Sequence, residues 1–480
     1  MTVNQGGARG SQVVVGGLCA LVMGLSVVVS AAMRPGDVAF GLFGVVVVPF
    51  VVALLATRRV SDALVLVWLN EIFFGLSGSW VQIGPIPGRG ALLLAVVGLY
   101  AVGQLASPDV FTRIRGRSLT VLAYGIALPI LLFLYSTAVR HQSTRGAFSD
   151  VMRFGTLLIY FPLRDTLRRR TGVCIGWSAG AVALLAGLIV TAATGPLVAR
   201  RPVSDWLNGT DPWGVMARSD ADFTRVAITS AIFCYLGVFL GLVVASDAKT
   251  RRSIRFLGGL LATAALAPFI VNFVRGQLLG VVGGLAFLGV LNVTAHLRWR
   301  SLLRIAVLTV AFVGIGYWVS TALIPVSLTK WDIRGMNWRD VVDPVRIEQT
   351  ERMLQAWLEA PVFGLGVGAP LRGYSRTGEA GGLAFEVQYP MVLYRVGVVG
   401  FVVLMLPFGW LVLRTTQLWR AHGEITRTAA GQLQSAIACS VVALLTAAWM
   451  NPYLATVFTP FLFAFFLAAD DARSRVARAA

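Results

Sequence analysis

Long apolar runs dominate this sequence of 480 residues and restrict it to one class of fold. Hydrophobic residues make up 57% of the chain and charged residues 13%, whereas soluble domains carry about 25% charged residues. A helix needs roughly 20 consecutive apolar residues to cross a bilayer. The sequence therefore predicts an all-α, polytopic helical membrane protein with a single integral membrane domain over residues 1–480.

Many of these runs are candidate membrane spans: about 14 have a suitable length, and we expect roughly 12–14 of them to cross the membrane. The two weakest each contain a charged residue, Glu71 in one and Arg153 in the other. The candidate spans cover residues 11–33, 38–57, 61–78, 89–106, 119–138, 151–166, 172–194, 223–245, 256–274, 277–296, 303–324, 396–413, 431–449 and 453–469.

Arginine-rich short loops orient the spans. The net charge is +19, and basic residues cluster in alternate short loops such as 113–117, 164–170 and 249–255. Such loops face the cytoplasm in most membrane proteins. We therefore predict a multi-pass protein of the inner or plasma membrane with both termini in the cytoplasm, where residues 470–480 form a short basic end. Residues 325–395 then form a large extracytoplasmic loop between late spans.

An amphipathic helix is predicted within this loop. Asp343 is a suitable N-cap and Pro344 suits the first helical position, and the helix is expected to end before Pro361. Arg346 lies in its first turn. Such a helix can lie on the membrane surface or on the helix bundle, and a purely structural lid is the alternative to a binding role. Its apolar side consists of Ile347, Met353, Leu354, Trp357 and Leu358.

Two charged residues near the loop are candidates for catalysis. Arg275 lies between two apolar runs with almost no loop, and a charge at membrane depth costs about 3 kcal/mol unless it is paired or hydrated. An anchor that reaches the lipid headgroups is the alternative role. Glu386 precedes the next span and can act as a general base if burial raises its pKa. An ion pair with Arg395 is the alternative for Glu386.

The glycine-rich turn after the loop helix is a candidate anion site. Gly364, Gly366 and Gly368 alternate with apolar residues, and such a turn can direct backbone N–H groups at an anion. A tight re-entry of the chain is the alternative interpretation.

The sequence contains no motif for metal, nucleotide or nucleophilic-serine chemistry. Its histidines, at positions 141, 296 and 422, are scattered, and its four cysteines fall within apolar runs. We therefore expect no cofactor, no metal and no nucleic-acid partner.

Three motifs together resemble the bacterial O-antigen ligase and O-antigen polymerase family of polytopic glycosyltransferases. The first is Arg275, followed by glycine, at the junction of two spans. The second is Arg346 at the start of a loop helix that ends at Pro361, before the pattern Gly-x-Gly-x-Gly. The third is the entry into the next span, where the family has His-Asn-x-Tyr-Leu. This chain has Glu386, Val387, Gln388, Tyr389 and Pro390 there, with Gly397 and Gly400 further on.

The resemblance implies a GT-C-like, metal-independent, inverting glycosyl transfer on the extracytoplasmic face. The donor is then a glycan on a polyprenyl pyrophosphate, the acceptor is a glycan or a lipid, and membrane lipids surround the site. Arginines suit a pyrophosphate because they stay charged and bind it through two N–H groups. The implied catalytic residues are Glu386, Arg275 and Arg346. The implied substrate-binding residues are Arg275, Arg346, Arg339, Arg352, Gly366, Gly368 and Tyr389.

The choice among reactions depends on Glu386. Ligases of this family usually have histidine at that position, so a polymerase, or another transfer within the family, is favoured over a ligase. A transporter or a flippase for lipid-linked oligosaccharides is an alternative of a different class, and a peptidoglycan-type polymerase is a third. Transporters often have two matched halves with charges along a central path. Here the polar residues are concentrated late in the chain, which favours an enzyme of cell-surface polysaccharide assembly.

Overall fold

The residues that the structure describes are mainly helical, as the all-α prediction expects, and they include two short antiparallel strand pairs. The predicted spans at 11–33, 38–57, 61–78 and 303–324 lie outside the residues that the structure describes. The computed structural model describes residues 82–83, 86–87, 96–98, 100–102, 116–199, 216–220, 223–227, 229–247, 250–271, 275–294, 344–371, 385, 387–421, 428–449, 454 and 458–479.

Besides the helical residues 96–98 and 100–102, these ranges contain ten longer helices, the first of which includes π-helical turns at Ala123–Ala127 and Tyr135–Val139. They are α1 Arg117–Val139, α2 Thr144–Met152, α3 Tyr160–Ala199, α4 Cys234–Ser246, α5 Arg252–Val271, α6 Arg275–Thr294, α7 Pro344–Trp357, α8 Gln388–Ala421, α9 Ala429–Ala447 and α10 Phe458–Ala479. Short 3₁₀ helices at Arg153–Ile159 and Thr229–Phe233 precede α3 and α4. The strand pairs are β1 Gln82–Ile83 with β2 Ile86–Pro87, and β3 Met216–Asp220 with β4 Phe223–Ala227.

Four of the described helices are long and apolar enough to cross a membrane. Each coincides with a run that the sequence predicts as a span. Shorter apolar helices occur at Ala231–Ser246 and Gly276–Asn292. These features support a helical membrane protein. The four candidate membrane-spanning helices are Arg117–Val139, Arg252–Ile270, Gln388–Arg420 and Ala429–Ala447.

Helix α3 corrects one part of the predicted topology. The sequence predicts separate spans at 151–166 and 172–194, joined by an arginine-rich loop. The structure instead has a 3₁₀ helix that runs directly into an uninterrupted helix, Tyr160–Ala199. The intervening segment contains arginine and leucine, which have high helix propensity, and no proline. A cluster of arginines indicates which side of a membrane a segment faces, but arginine does not break a helix. The loop predicted from the arginines between residues 166 and 172 is therefore absent.

The predicted span at 223–245 is also only partly a helix. Residues Phe223–Ala227 form strand β4, which pairs with β3, and α4 begins only at Cys234. Asp220 lies opposite Phe223 in the register, so a two-residue connection joins the strands. The apolar composition of this run conceals a local hairpin because hydropathy does not separate strand from helix.

The core is built mainly from α3, α4, α5, α6, α9 and α10. Tyr235 of α4 stacks on Phe269 of α5 with ring centroids 4.6 Å apart. Its hydroxyl donates to the carbonyl of Gln277 in α6 at 2.8 Å. A buried tyrosine therefore contributes both apolar area and a satisfied polar group to the junction of three helices.

A buried aspartate joins four helices. Asp470 of α10 has no exposed surface and receives ion pairs from Arg117 of α1, Arg414 of α8 and Arg473 of α10. The Nε2 of Gln434 in α9 also donates to it, at 3.2 Å. The sequence assigns residues 470–480 to a basic tail, but Asp470 lies within helix α10 and forms part of the core.

A second aspartate extends this network. Asp471 accepts a hydrogen bond from the Tyr160 hydroxyl at 2.6 Å and pairs with Arg117 and with Arg168 of α3. The arginines that meet at these two aspartates are ones that the charge pattern assigns to the same side of a membrane. We call Asp470, Asp471 and their arginine partners the Asp470 network.

We predict that Asp470→Asn strongly destabilises the protein. Removing the charge leaves three arginines facing a neutral group in a buried site, which typically costs about 3–5 kcal/mol. The free energy of unfolding in a detergent–SDS titration measures the loss. The control is Glu348→Gln, which removes an exposed ion pair with Arg352 and should cost about 0.3–0.5 kcal/mol. Equal stability of Asp470→Asn and the wild-type protein would contradict a stabilising role.

Candidate functional site

A backbone break divides helix α8. Gly397 has φ 66° and ψ −173°, values outside any helix. The rings of Tyr389 and Phe401 lie 6.3 Å apart, although 12 residues of straight helix rise roughly 18 Å. The chain therefore folds back at Gly397, and residues 388–396 form a separate segment. The apolar span itself begins at Val398.

The glycine-rich turn caps the start of this span. The N–H of Val398 donates to the carbonyl of Pro361 at 2.9 Å, and the N–H of Val399 donates to that of Val362 at 3.1 Å. These amides would otherwise be unpaired at a helix N-terminus. The approach requires glycine on both sides, at Gly364 and Gly397. Both have positive φ, and a Cβ on either one would overlap the backbone of the other segment.

The amides of the turn donate to protein groups. The N–H of Gly366 donates to the carbonyl of Arg395 at 2.8 Å. The N–H of Val367 donates to the Ser136 hydroxyl at 2.8 Å, and that of Gly368 donates to Asp150 at 2.9 Å. The geometry matches the tight re-entry of the chain that the sequence leaves open as an alternative. Val367 and Gly368 thus fix the turn to α1 and α2, and Gly366 fixes it to α8.

A buried ion pair lies directly beneath the turn. Arg395 is 5% exposed, and its Nη1 lies 2.5 Å from Oδ2 of Asp150, the same oxygen that accepts from Gly368. An Nη2–Oδ1 distance of 3.8 Å joins Arg153 to the other oxygen of Asp150. The Arg395 guanidinium also lies 4.8 Å from the ring centroid of Phe385. The residue that pairs with Arg395 is thus Asp150 in the described structure.

One donor of Arg395 remains available. Its Nε is buried and has no hydrogen-bond partner among the residues that the structure describes. A buried donor without a partner costs about 1–3 kcal/mol, and such groups often mark a functional site. Nε of Arg395 can therefore donate a hydrogen bond to a ligand oxygen while Nη1 stays paired with Asp150.

An apolar cavity extends from this ion pair. Its volume is about 130 Å³, roughly ten times the 10–15 Å³ that a single water needs. Asp150, Arg153 and Arg395 line it where α8 breaks, and it continues along α8 as far as Phe408, which lies about 15 Å of helix beyond the break. The apolar walls include Leu132, Leu157, Val392, Leu404, Phe408 and Phe463. The cavity combines a charged end with a hydrocarbon-like interior.

The two arginines that the resemblance places in the site begin two helices. Arg275 is the first residue of α6, and the structure describes its backbone but not its side chain. Gln277, two residues further on, is 4% exposed, and its Oε1 has no partner in the described part of the chain. Arg346 lies in the first turn of α7 and is partly buried. Helix α7 begins at Pro344, the position that the sequence predicts.

Two other predicted binding residues make protein contacts. Arg352 pairs with Glu348 at 2.8 Å on the exposed side of α7, with 42% of its side chain accessible. The Tyr389 hydroxyl donates to the carbonyl of Leu445 at 2.6 Å, and its ring lies 4.9 Å from that of Trp449. Tyr389 thus joins α8 to α9, and neither residue lines the cavity.

Arg339 and Glu386 lie outside the described residues. The two neighbours of position 386 are described, and both Phe385 and Val387 are buried. The N–H of Val387 donates to Oε1 of Gln349 in α7 at 3.4 Å. The backbone on both sides of position 386 therefore packs against the helix that carries Arg346.

Sequence reasoning did not identify Asp150 and Arg153 as site residues. Their spacing of three residues puts them on one helical face, and Asp150 directly precedes an apolar run. An aspartate at the edge of an apolar run is the one sequence feature that points to this site. Its partner Arg395 lies 245 residues later, and no local pattern joins positions so far apart.

Comparison with protein-family models and with curated proteins gives no match. Among the residues that the structure describes, no group of three or more histidine, cysteine, aspartate or glutamate side chains is placed to hold a metal ion. The functional assignment therefore depends on the geometry of the site and on the resemblance of the motifs.

We predict that the turn does not tolerate a side chain at Gly364 or Gly397. Alanine at either position has an unfavourable positive φ and overlaps backbone, so it should lower the free energy of unfolding by more than about 2 kcal/mol. The matched control is Gly409→Ala in the same helix, where no atom lies within 4 Å of the added methyl. That variant should be neutral, or more stable by up to about 1 kcal/mol. Thermal unfolding in detergent compares the three, and equal midpoints would refute the requirement for glycine.

Proposed function

We propose that the protein is an extracytoplasmic glycosyltransferase. It moves a glycan from a polyprenyl-pyrophosphate donor to an acceptor glycan or lipid, as O-antigen polymerases and ligases do. The motifs around Arg275, Arg346 and Glu386 support this class of reaction. Because glutamate replaces the histidine of ligases at position 386, a polymerase is the favoured form.

The observation that carries the proposal is the cavity beneath the glycine-rich turn. Its walls are apolar along the α8 span, and its charged end holds two arginines against one aspartate. A polyprenyl pyrophosphate has the same division between an apolar chain and an anionic head. Arg395 offers a buried Nε at the boundary, and arginine binds phosphate oxygens through charge-assisted hydrogen bonds.

Helix α7 packs against the segment of α8 that carries Arg395. Met353 of α7 is fully buried in a cluster with Leu371, Phe385, Met391 and Tyr394. The turn that follows α7 is bonded to the backbone of α8 and to Asp150. A fixed helix supports Arg346 as a preorganised cation, and preorganised charge stabilises a transition state without a reorganisation cost.

The proposed transfer needs a base and a stabilised leaving group. The acceptor hydroxyl oxygen attacks the anomeric carbon of the donor glycan, and the bond from that carbon to the pyrophosphate oxygen breaks. The hydroxyl proton passes to Glu386. The departing polyprenyl pyrophosphate gains one negative charge, which Arg275 and Arg346 stabilise. Attack from the face opposite the leaving group inverts the anomeric configuration.

We predict that Arg275→Ala and Arg346→Ala each lower glycan transfer by at least about 100-fold, because each removes a charge that stabilises the leaving group. The measurement is mass spectrometry of products from a polyprenyl-pyrophosphate glycan donor. The control is Arg420→Ala, at the exposed far end of α8. It should transfer at the wild-type rate.

The same assay separates the classes of function. A polymerase lengthens the glycan and a ligase transfers it whole, whereas a flippase moves the lipid-linked glycan and leaves its mass unchanged. Full activity of either arginine variant would remove that arginine from the mechanism.

We predict that a larger side chain in the cavity lowers glycan transfer from donors with a long polyprenyl chain. Leu404→Trp places a large ring among the apolar walls, so transfer from a long polyprenyl donor should fall by at least about 10-fold through KM. A donor with a short isoprenoid chain should be affected much less. The matched control is Leu413→Trp, since Leu413 lies on the same helix with 63% of its surface exposed. Equal effects of Leu404→Trp on the two donors would show that the lipid chain does not occupy the cavity.

A further inference from the structure

Helix α7 carries a second apolar stripe that faces away from the protein. Ile347, Leu354 and Leu358 are 41%, 38% and 68% exposed. Leu358 directly follows α7, and its N–H donates to the carbonyl of Leu354 at 3.3 Å, so it continues the helical turn. At 100° per residue the three residues fall within roughly 40° of one another. The buried face, centred on Gln349 and Met353, lies roughly 140° away. The packing of α7 against α8 therefore does not account for this stripe.

The stripe borders a strongly polar face. The exposed polar residues of α7 occupy the sector that begins about 40° from the stripe. An apolar stripe beside a charged face is the pattern of a helix that lies at a membrane surface. The exposed polar residues are Glu348, Glu351, Arg352, Gln355 and Glu359.

Exposed apolar residues also lie between α7 and the α8 span. Val362 and Phe363 follow α7 and are 50% and 57% exposed. The carbonyls of Pro361 and Val362 accept hydrogen bonds from the first two amides of the span, at Val398 and Val399. The segment that follows α7 therefore lies beside the start of the span. The exposed apolar residues of the span continue from there as Val398, Val399, Val402, Leu406 and Leu413.

We propose that α7 is an in-plane membrane helix, which inserts this stripe and Phe363 into the leaflet where the α8 span begins. The occupant is the acyl-chain boundary of the bilayer, because the exposed apolar segment that follows α7 is hydrogen-bonded to the start of a candidate membrane-spanning helix. The polar sector then faces the aqueous side. The inference goes beyond the proposed function, since it holds for α7 whether or not the protein transfers glycans.

Fluorescence quenching in lipid nanodiscs tests this placement. Leu358→Cys and Gln355→Cys, each in a background without the four native cysteines, carry a small bimane label in discs that contain one protein each. Brominated phosphatidylcholine should quench the label at position 358 at least about twofold more than the label at 355. Aqueous iodide should show the opposite order. Phe363→Cys provides a second reporter that should behave like position 358.

Two outcomes would overturn the proposal. If iodide quenches position 358 as well as position 355 and brominated lipid does not, the stripe lies in water. If position 358 is shielded from both quenchers only when two proteins share a disc, a second copy of the chain covers the stripe instead. Neither outcome depends on catalysis, so the result is independent of the test of glycosyl transfer.

Discussion

The backbone pairing between the glycine-rich turn and the start of the α8 span supports the whole site. Gly364 and Gly397 allow two backbones to meet where any side chain would overlap. The contact supplies the first hydrogen bonds of the span and sets the direction of the segment that carries Arg395. Helix α7, the charged end of the cavity and the apolar surface all take their position from this one junction.

Two ionic clusters lie at the two ends of the α8 span. Arg395 pairs with Asp150 beside the break in α8, whereas Arg414 joins the Asp470 network. From the break at Gly397 to Arg414 the helix rises roughly 26 Å, close to the thickness of a bilayer core. Charges at each end and apolar contacts between them fix the helices in register. In the Asp470 network three arginines converge on Asp470 itself, while Arg395 pairs with Asp150 alone and keeps a buried Nε without a partner among the described residues.

The sequence predicts those features that depend on local pattern. Apolar runs identify the four candidate spans, and Pro344 marks the start of α7 because proline suits the first turn of a helix. The pair Arg395–Asp150 could not be predicted, because it depends on how distant segments pack. The hairpin β3–β4 and the uninterrupted helix α3 were missed for a different reason. Hydropathy and charge report burial and sidedness, but neither measures whether the backbone turns.

The long-range contacts of the turn also order events during biosynthesis. Ser136 and Asp150 bond to the amides of Val367 and Gly368, which lie 231 and 218 residues later. The carbonyls of Pro361 and Val362 likewise accept hydrogen bonds from Val398 and Val399, which are synthesised later. Segments made early must therefore remain unpaired until most of the chain has been synthesised, since such non-local contacts form late. A chain truncated before Arg395 contains Asp150, Arg153 and the glycine-rich turn but lacks the arginine that pairs with Asp150, so the charged end of the cavity cannot assemble before that residue is made.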